Sequence, residues 1–317
     1  MTENQTVITD FIFLNFPELH RLEHLMGVIL LACYLLTVSG NLMIIVIIIH
    51  DHHLHTPMYF FLWNLSCLEI LITTTVVPKV LASLLLGFTT ISYPACLSQC
   101  YFFFFLGSSD FVLLAVMSYD RYVAICNPLR YTSIMSTQLC PWLVLGSCTV
   151  AFLATIFPTI LVINLPFCNN NNIDHFFCDS VALMKLACAD TRLVELLSFF
   201  SSSVTVMGSL IFTVVSYIYI IKTILKIPSA SGRHKAFSTC SSHFIIVSLG
   251  YGSCIFMYVR PSGSNPSINK MVSLINTVLT PLMSPFIFSL RNQQVKDALK
   301  SLFIKHAVYS KNNPKLG

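Results

Sequence analysis

An all-α membrane protein is the fold class that this sequence predicts: a seven-transmembrane helix bundle with a short amphipathic C-terminal helix. Three observations point there. Of 317 residues, 55% are hydrophobic and 10% charged, against about 25% charged in a typical soluble domain. That is too little polar surface to cover a water-soluble globule, which excludes an ordinary cytosolic enzyme, a disordered chain and a small disulfide-stapled secreted protein. Seven apolar stretches reach the ~20 helical residues needed to cross ~30 Å of hydrocarbon. The charges between those stretches also segregate by side.

The spans are expected near 26–49, 58–82, 93–119, 140–163, 196–225, 236–259 and 271–290. The first carries no charged residue, and the third is the least clear because Asp110 sits inside it. Pro228 and Gly232 break the helix between the fifth and sixth spans. The chain divides into an extracellular N-terminus (1–25), a transmembrane domain (26–290) and a cytoplasmic tail (291–317). No internal repeat is visible.

Orientation follows from Lys and Arg. With the N-terminus outside, the cytoplasmic segments hold twelve basic and three acidic residues, and the outer segments six and eight. N-out also exposes the glycosylation sequon at Asn4. The acidic N-terminus lacks a short apolar core with a cleavage site, so the first span is expected to act as the targeting signal.

Among the twelve cysteines, Cys96, Cys168, Cys178 and Cys188 lie at the oxidising outer face. Four such residues allow three pairings. The run His50-Asp51-His52-His53-Leu54-His55 has metal-binding residue types, but it sits on a tight cytoplasmic turn. His175 and Cys178 also resemble a ligand pair. No nucleophile–base pair, phosphate loop or zinc spacing appears, so no catalysis is expected.

Several short motifs stand together. Gly40-Asn41 lies in the first span, and Leu54-His-Thr-Pro57-Met-Tyr-Phe-Phe-Leu62 enters the second. Met117-Ser-Tyr-Asp120-Arg121-Tyr122-Val-Ala-Ile-Cys126 closes the third. Lys235-Ala-Phe-Ser-Thr-Cys-Ser-Ser-His243 enters the sixth, and Pro281-Leu-Met-Ser-Pro285-Phe-Ile-Phe288 runs through the seventh. Over about residues 20–300 this set resembles the odorant (olfactory) receptors, tetrapod-type class, a branch of the rhodopsin-like G-protein-coupled receptors.

The resemblance implies a disulfide between Cys96 and Cys178, and a second between Cys168 and Cys188. It also implies a ligand site in the outer half of the bundle. Helical spacing outlines that site as Phe103, Phe104, Gly107 and Ser108 on the third span and Ser201, Ser202 and Thr205 on the fifth. Tyr251, Cys254, Ile255 and Tyr258 on the sixth and Asn276 and Thr277 on the seventh complete it. Neither a carboxylate nor a basic residue is among them, so the expected ligand is a small neutral volatile. The implied partner is a stimulatory, olfactory-type heterotrimeric G protein. Arg121 is expected at that junction, with Asp120 restraining it at rest. The implied location is the plasma membrane of olfactory cilia.

Three departures matter. The stretch Ser229 to His243 has no acid, so Arg121 cannot form the salt bridge to the sixth span that many rhodopsin-like receptors use. Where the family usually has Asn-Pro-x-x-Tyr, this chain has Ser284-Pro285-Phe-Ile-Phe288, so Phe288 lacks a hydroxyl to meet Tyr217. The acids inside the bundle are Glu69 and Asp110, and charge at mid-membrane costs about 2.5–3.5 kcal/mol. The resemblance places both beside Asn41 and Ser284, where they hold either a shared proton or an allosteric sodium ion. A transporter, or a receptor of the same branch outside olfaction, is the competing expectation.

Overall fold

The computed structural model describes residues 9–16, 21–168, 171–258 and 266–301. Asn4 and the side chain of Tyr258 lie outside the described residues. Helices α1 (Glu23–His50), α2 (Pro57–Leu86), α3 (Tyr93–Cys126), α4 (Leu139–Ile163), α5 (Arg192–Leu225) and α6 (Ala230–Tyr258) follow in order. The seventh, α7, joins Pro266–Leu274 and Thr280–Arg291 through a π turn at Ile275–Leu279. Residues 293–301 form a further helix, α8. Val295 and Ala298 are buried against the main core with Leu299 partly covered, at i, i+3 and i+4, which makes α8 amphipathic.

Six of these helices are long and apolar enough to cross a membrane by themselves. The weak one is the sixth, whose apolar part is only Cys240–Ile255, and not the third. Asp110 is the one charge in the apolar stretch of α3 before Asp120, whereas the entry to α6 carries Arg233, His234 and Lys235. The helix nevertheless starts at Ala230, six residues before the expected span. Ser229 explains this: its hydroxyl accepts from the Gly232 N–H at 2.9 Å and its carbonyl accepts from Arg233 N at 3.0 Å, a helix N-cap. Gly232 therefore lies inside the helix, and the break is confined to the residues before it.

The bundle is polar inside relative to its skin. Leu35, Phe200 and Trp142 are exposed, while Thr37, Asn41, Ser66, Thr73, Ser118 and Thr213 are buried. Lipid is as apolar as leucine, so small and hydroxyl residues line the helix contacts. Many hydroxyls return to their own helix: Thr37 donates to the Cys33 carbonyl at 2.8 Å and Thr73 to Glu69 at 2.6 Å. Helix α3 is central and packs on α2, α4, α5 and α6. Gly40 lets α1 approach α7, since a Cβ there would stand 3.0 Å from Pro285 Cγ.

One element was not anticipated. Strand β1 (Asp10–Phe13) pairs antiparallel with β2 (Thr90–Ser92) and parallel with β3 (Asn172–Ile173). Its alternation buries Phe11 and Phe13 against Cys96, Ile173, Cys178 and Leu183. The N-terminal segment is thus woven into the outer cap.

Candidate functional site

The outer cap is cross-linked covalently. Cys96 at the start of α3 is joined to Cys178, and Cys168 to Cys188. Gln99, one turn on, receives the Cys178 N–H at 3.0 Å and donates to the Thr75 carbonyl of α2 at 3.0 Å. Lys270 of α7 is buried and donates to Asp174 Oδ1 at 2.6 Å and to the Asn15 carbonyl at 2.8 Å. Asn15 also donates to Ser83 Oγ at 2.7 Å. Its φ of +47° is left-handed, which asparagine tolerates better than most residues. His175 is wedged against Phe176 and Phe177. Burial, the largest influence, holds its imidazole below the ordinary value; Asp179 opposes that, Lys270 adds to it and Asp174 opposes it. With Cys178 in a disulfide, no His175–Cys178 metal pair exists. In the turn after α1, Asp51 Oδ1 accepts the His53 N–H at 3.0 Å, a capping role.

Below the cap, the Phe103 ring lies 4.7 Å from that of Phe177, tilted by 56°, and Phe104 packs toward the Cys96–Cys178 cluster. Gly107 faces open space, with nothing within 4 Å of a Cβ built there. Ser108 and Cys254 are half-buried. Tyr251 is buried, donates to the Phe111 carbonyl of α3 at 3.1 Å and stands 5.0 Å from that ring. Asn276 and Thr277 fall within the π turn of α7. Asn276 accepts from Ser253 of α6 at 2.5 Å, and buried Thr277 donates to the Ser273 carbonyl. Such turns recur at functional sites. On α5, Ser201 donates to the Ala154 carbonyl of α4 and Thr205 to Ser201, so these hydroxyls serve helix contacts; Ser202 is half-buried. Ile255 is exposed. Sequence spacing missed Phe111, Phe177 and Ser253, all of which meet members of the set.

At mid-bundle, Asn41 and Ser284 approach the Glu69 carboxyl, and Asp110 is near enough to act on it electrostatically. Asn41 Nδ2 donates to the Thr37 and Pro281 carbonyls. Asn41 Oδ1, Glu69 Oε2 and Asp110 Oδ1 are buried without a hydrogen-bond partner. Three acceptor oxygens with no donor form a set suited to a proton or a hard cation.

At the inner end, Asp120 and Arg121 are both buried. Asp120 Oδ1 accepts the Tyr131 hydroxyl of the second inner loop at 2.7 Å. Burial and that carboxylate push the Tyr131 phenol up and keep it protonated. Among the described residues no ion pair joins Arg121 to Asp120 or to α6. Tyr131 thus takes one oxygen of the Asp120 carboxylate, and Arg121 lies near enough to act on that carboxylate electrostatically. The inner helices are tied instead through His243. Tyr217 of α5 donates to His243 Nδ1 at 2.8 Å, and His243 Nε2 donates to the Leu114 carbonyl of α3 at 3.1 Å. Phe288, just after Pro285, is buried in the main core.

A family model described as olfactory receptor matches residues 30–306. Human olfactory receptor 6C75 is 48% identical over 310 residues, covering 98% of this chain and 99% of that protein. Human olfactory receptor 6C76 is 50% identical over 304 residues, 96% and 97% of the two chains. Mouse olfactory receptor 6E1 is 49% identical over 309 residues, 97% and 99%. Among solved structures, squid rhodopsin superposes with a TM-score of 0.65 at 15% identity, covering 90% of this chain and 86% of its own. That likeness shows the fold. The matched length, the relatives' identity and the seven-helix architecture agree: the chain belongs to the olfactory receptor family, multi-pass membrane receptors that couple to G proteins.

Proposed function

We propose that this receptor binds a small neutral volatile ligand among the outer halves of α3, α5, α6 and α7, and signals through a stimulatory olfactory-type G protein at Arg121. The N-terminus is extracellular in this reading, with Asn4 glycosylated and the sensory cilium of an olfactory neuron as the site of action. One observation carries the reading. Helix α6 holds α3 and α7 in its outer half through Tyr251 and Ser253, and holds α5 and α3 in its inner half through His243. A ligand that alters the upper contacts therefore biases the lower ones through one continuous helix. It can do so only by binding the two states with different affinity.

The test is a panel of neutral volatiles applied to cells that express the receptor with the stimulatory G protein. An active odorant raises cyclic AMP in wild type. Arg121→Ala abolishes the response while surface expression stays near wild type. A full response from that variant would remove Arg121 from the coupling site.

The unpartnered oxygens of Asn41, Glu69 and Asp110, with Ser284, fit a sodium ion, which favours several hard oxygen ligands. Bound there, it would offset the carboxylate charge and tie α1, α2, α3 and α7 together. Raising sodium at constant ionic strength then lowers odorant potency, and Asp110→Asn removes the dependence. Wild-type potency that ignores sodium leaves a shared proton as the occupant.

A further inference from the structure

Helices α7 and α8 are separated by one non-helical residue, Asn292. The direction in which α8 leaves the bundle therefore depends on how that residue is held. Its backbone is extended, at φ −99° and ψ 110°. Its Oδ1 accepts the Gln294 N–H at 3.0 Å and the Val295 N–H at 3.4 Å, and so caps the start of α8. Its Nδ2 donates to the Tyr59 hydroxyl of α2 at 2.9 Å.

Tyr59 is the third residue of α2 and belongs to the Pro57-Met-Tyr-Phe-Phe-Leu62 motif, to which ligand binding and coupling have so far given no role. With Leu62, Ser66 and Glu69 it forms a buried stripe at i, i+3, i+7 and i+10, so the phenol points into the bundle. It is 1% exposed, and a hydroxyl so enclosed must find its partners in the protein. It finds them at the elbow between α7 and α8. While accepting from Asn292, it gives its one proton to Gln294 Oε1 at 2.7 Å, the nearer of two acceptors; Asn292 Oδ1 stands at 3.1 Å. The bonds close a circuit, from the Asn292 amide to the phenol, from the phenol to the Gln294 side chain, and from the Gln294 N–H back to Asn292. Arg121 is near enough to act on the same phenol electrostatically. Val295 and Ala298 press α8 onto the core. Apolar contact is non-directional and sets how closely α8 lies, whereas hydrogen bonds are directional and set its angle.

We propose that Tyr59 is a positioning residue for coupling: its hydroxyl fixes the angle at which α8 leaves α7, and so holds α8 beside Arg121 in the surface that meets the G protein. The inference rests on Arg121 as the coupling site. Two variants break the circuit in different ways. Tyr59→Phe keeps the ring and removes the hydroxyl. Asn292→Ser keeps a good cap for α8 but is too short to reach the phenol. The first readout needs neither odorant nor G protein: amide hydrogen exchange across residues 294–301 of the full-length receptor in nanodiscs. Each variant speeds exchange there by roughly 2–10-fold, the worth of one hydrogen bond. The double variant exchanges no faster than the faster single one, because both remove the same link. The second readout is basal cyclic AMP per surface receptor in cells with the stimulatory G protein, which falls by a similar factor in each variant. Exchange that ignores both substitutions overturns the clamp. Faster exchange with an unchanged basal level makes Tyr59 a structural residue only and overturns its part in coupling, and a raised basal level overturns it by making the clamp a restraint on the active state. A wild-type receptor with no cyclic AMP signal, or an Arg121→Ala receptor that signals in full, overturns the coupling reading and this role with it, whereas the exchange result judges the clamp separately.

Discussion

The two ends of the bundle are held by different chemistry. At the outer end, two disulfides, a three-stranded sheet and the ion pair of buried Lys270 with Asp174 join the N-terminus, α2, α3, α7 and the second outer loop. At the inner end, α3, α5 and α6 are tied by individual hydrogen bonds, through Tyr217 and His243 and between Ser118 and Thr213 and Cys126 and Thr223, and no ion pair holds Arg121 among the described residues. Each such bond is worth about 0.5–1.5 kcal/mol net. A fixed upper end and an inner end near balance suit a molecule in which small changes above must shift an equilibrium below.

Breaking the covalent end should have the largest effect. The Cys96–Cys178 bridge closes 82 residues of chain, worth up to about 4.5 kcal/mol of chain entropy, an upper limit because inserted helices already restrict the ends. Cys178→Ala should therefore remove most receptor from the cell surface, read by antibody labelling of intact cells. The Cys168–Cys188 bridge spans 20 residues and is worth about 3 kcal/mol on the same scale, so Cys168→Ala should leave a larger surface fraction. Equal losses would mean that loop length does not set the contribution of these bridges.

The inner end is sharpened by adding a tie. Phe288→Tyr supplies a hydroxyl that would bond toward Tyr217 once the inner face opens, and so favours the active state. It should raise basal cyclic AMP per surface receptor by roughly 2–10-fold, the equivalent of about 0.5–1.5 kcal/mol. In a Tyr217→Phe background the gain should vanish. An unchanged or lower basal level would show that Phe288 is a packing residue only.

The smallest expected effect is a pH dependence of the outer cap. Burial keeps the His175 imidazole below its ordinary value near 6.5. The unfolded chain then binds a proton more readily than the folded one, so stability is full above that value and falls as pH drops through it. The purified receptor should melt at a lower temperature at pH 5.5 than at pH 7.5, and His175→Phe should flatten the difference. Melting that is independent of pH in wild type would place the imidazole in contact with water.

Much of the site was legible because membrane insertion is a local rule. A stretch such as 26–49 becomes a helix wherever it lies, since its backbone has no other partner in hydrocarbon. Motif residues such as Asn41, Arg121 and Pro285 could be placed on their helices for the same reason. The α6 start was misread because Ser229 acts as a cap through its side chain, which hydropathy does not weigh. The π turn holding Asn276 and Thr277 has no apolar signature either. Phe111, Phe177 and Ser253 were missed because each meets its partner from a different helix or loop.

The sequence by itself determined the number of spans, their order and the sidedness of the charges, since each depends on runs of residues and on transfer between water and lipid. Only the tertiary structure decided which polar groups meet. It turned Tyr131 onto Asp120, His243 onto Tyr217 and Lys270 onto Asp174, and it left the Trp63 indole and three oxygens around Glu69 without partners. Those outcomes depend on how helices rotate and approach, as where Gly40 admits Pro285. Packing sets that geometry among residues far apart in the chain.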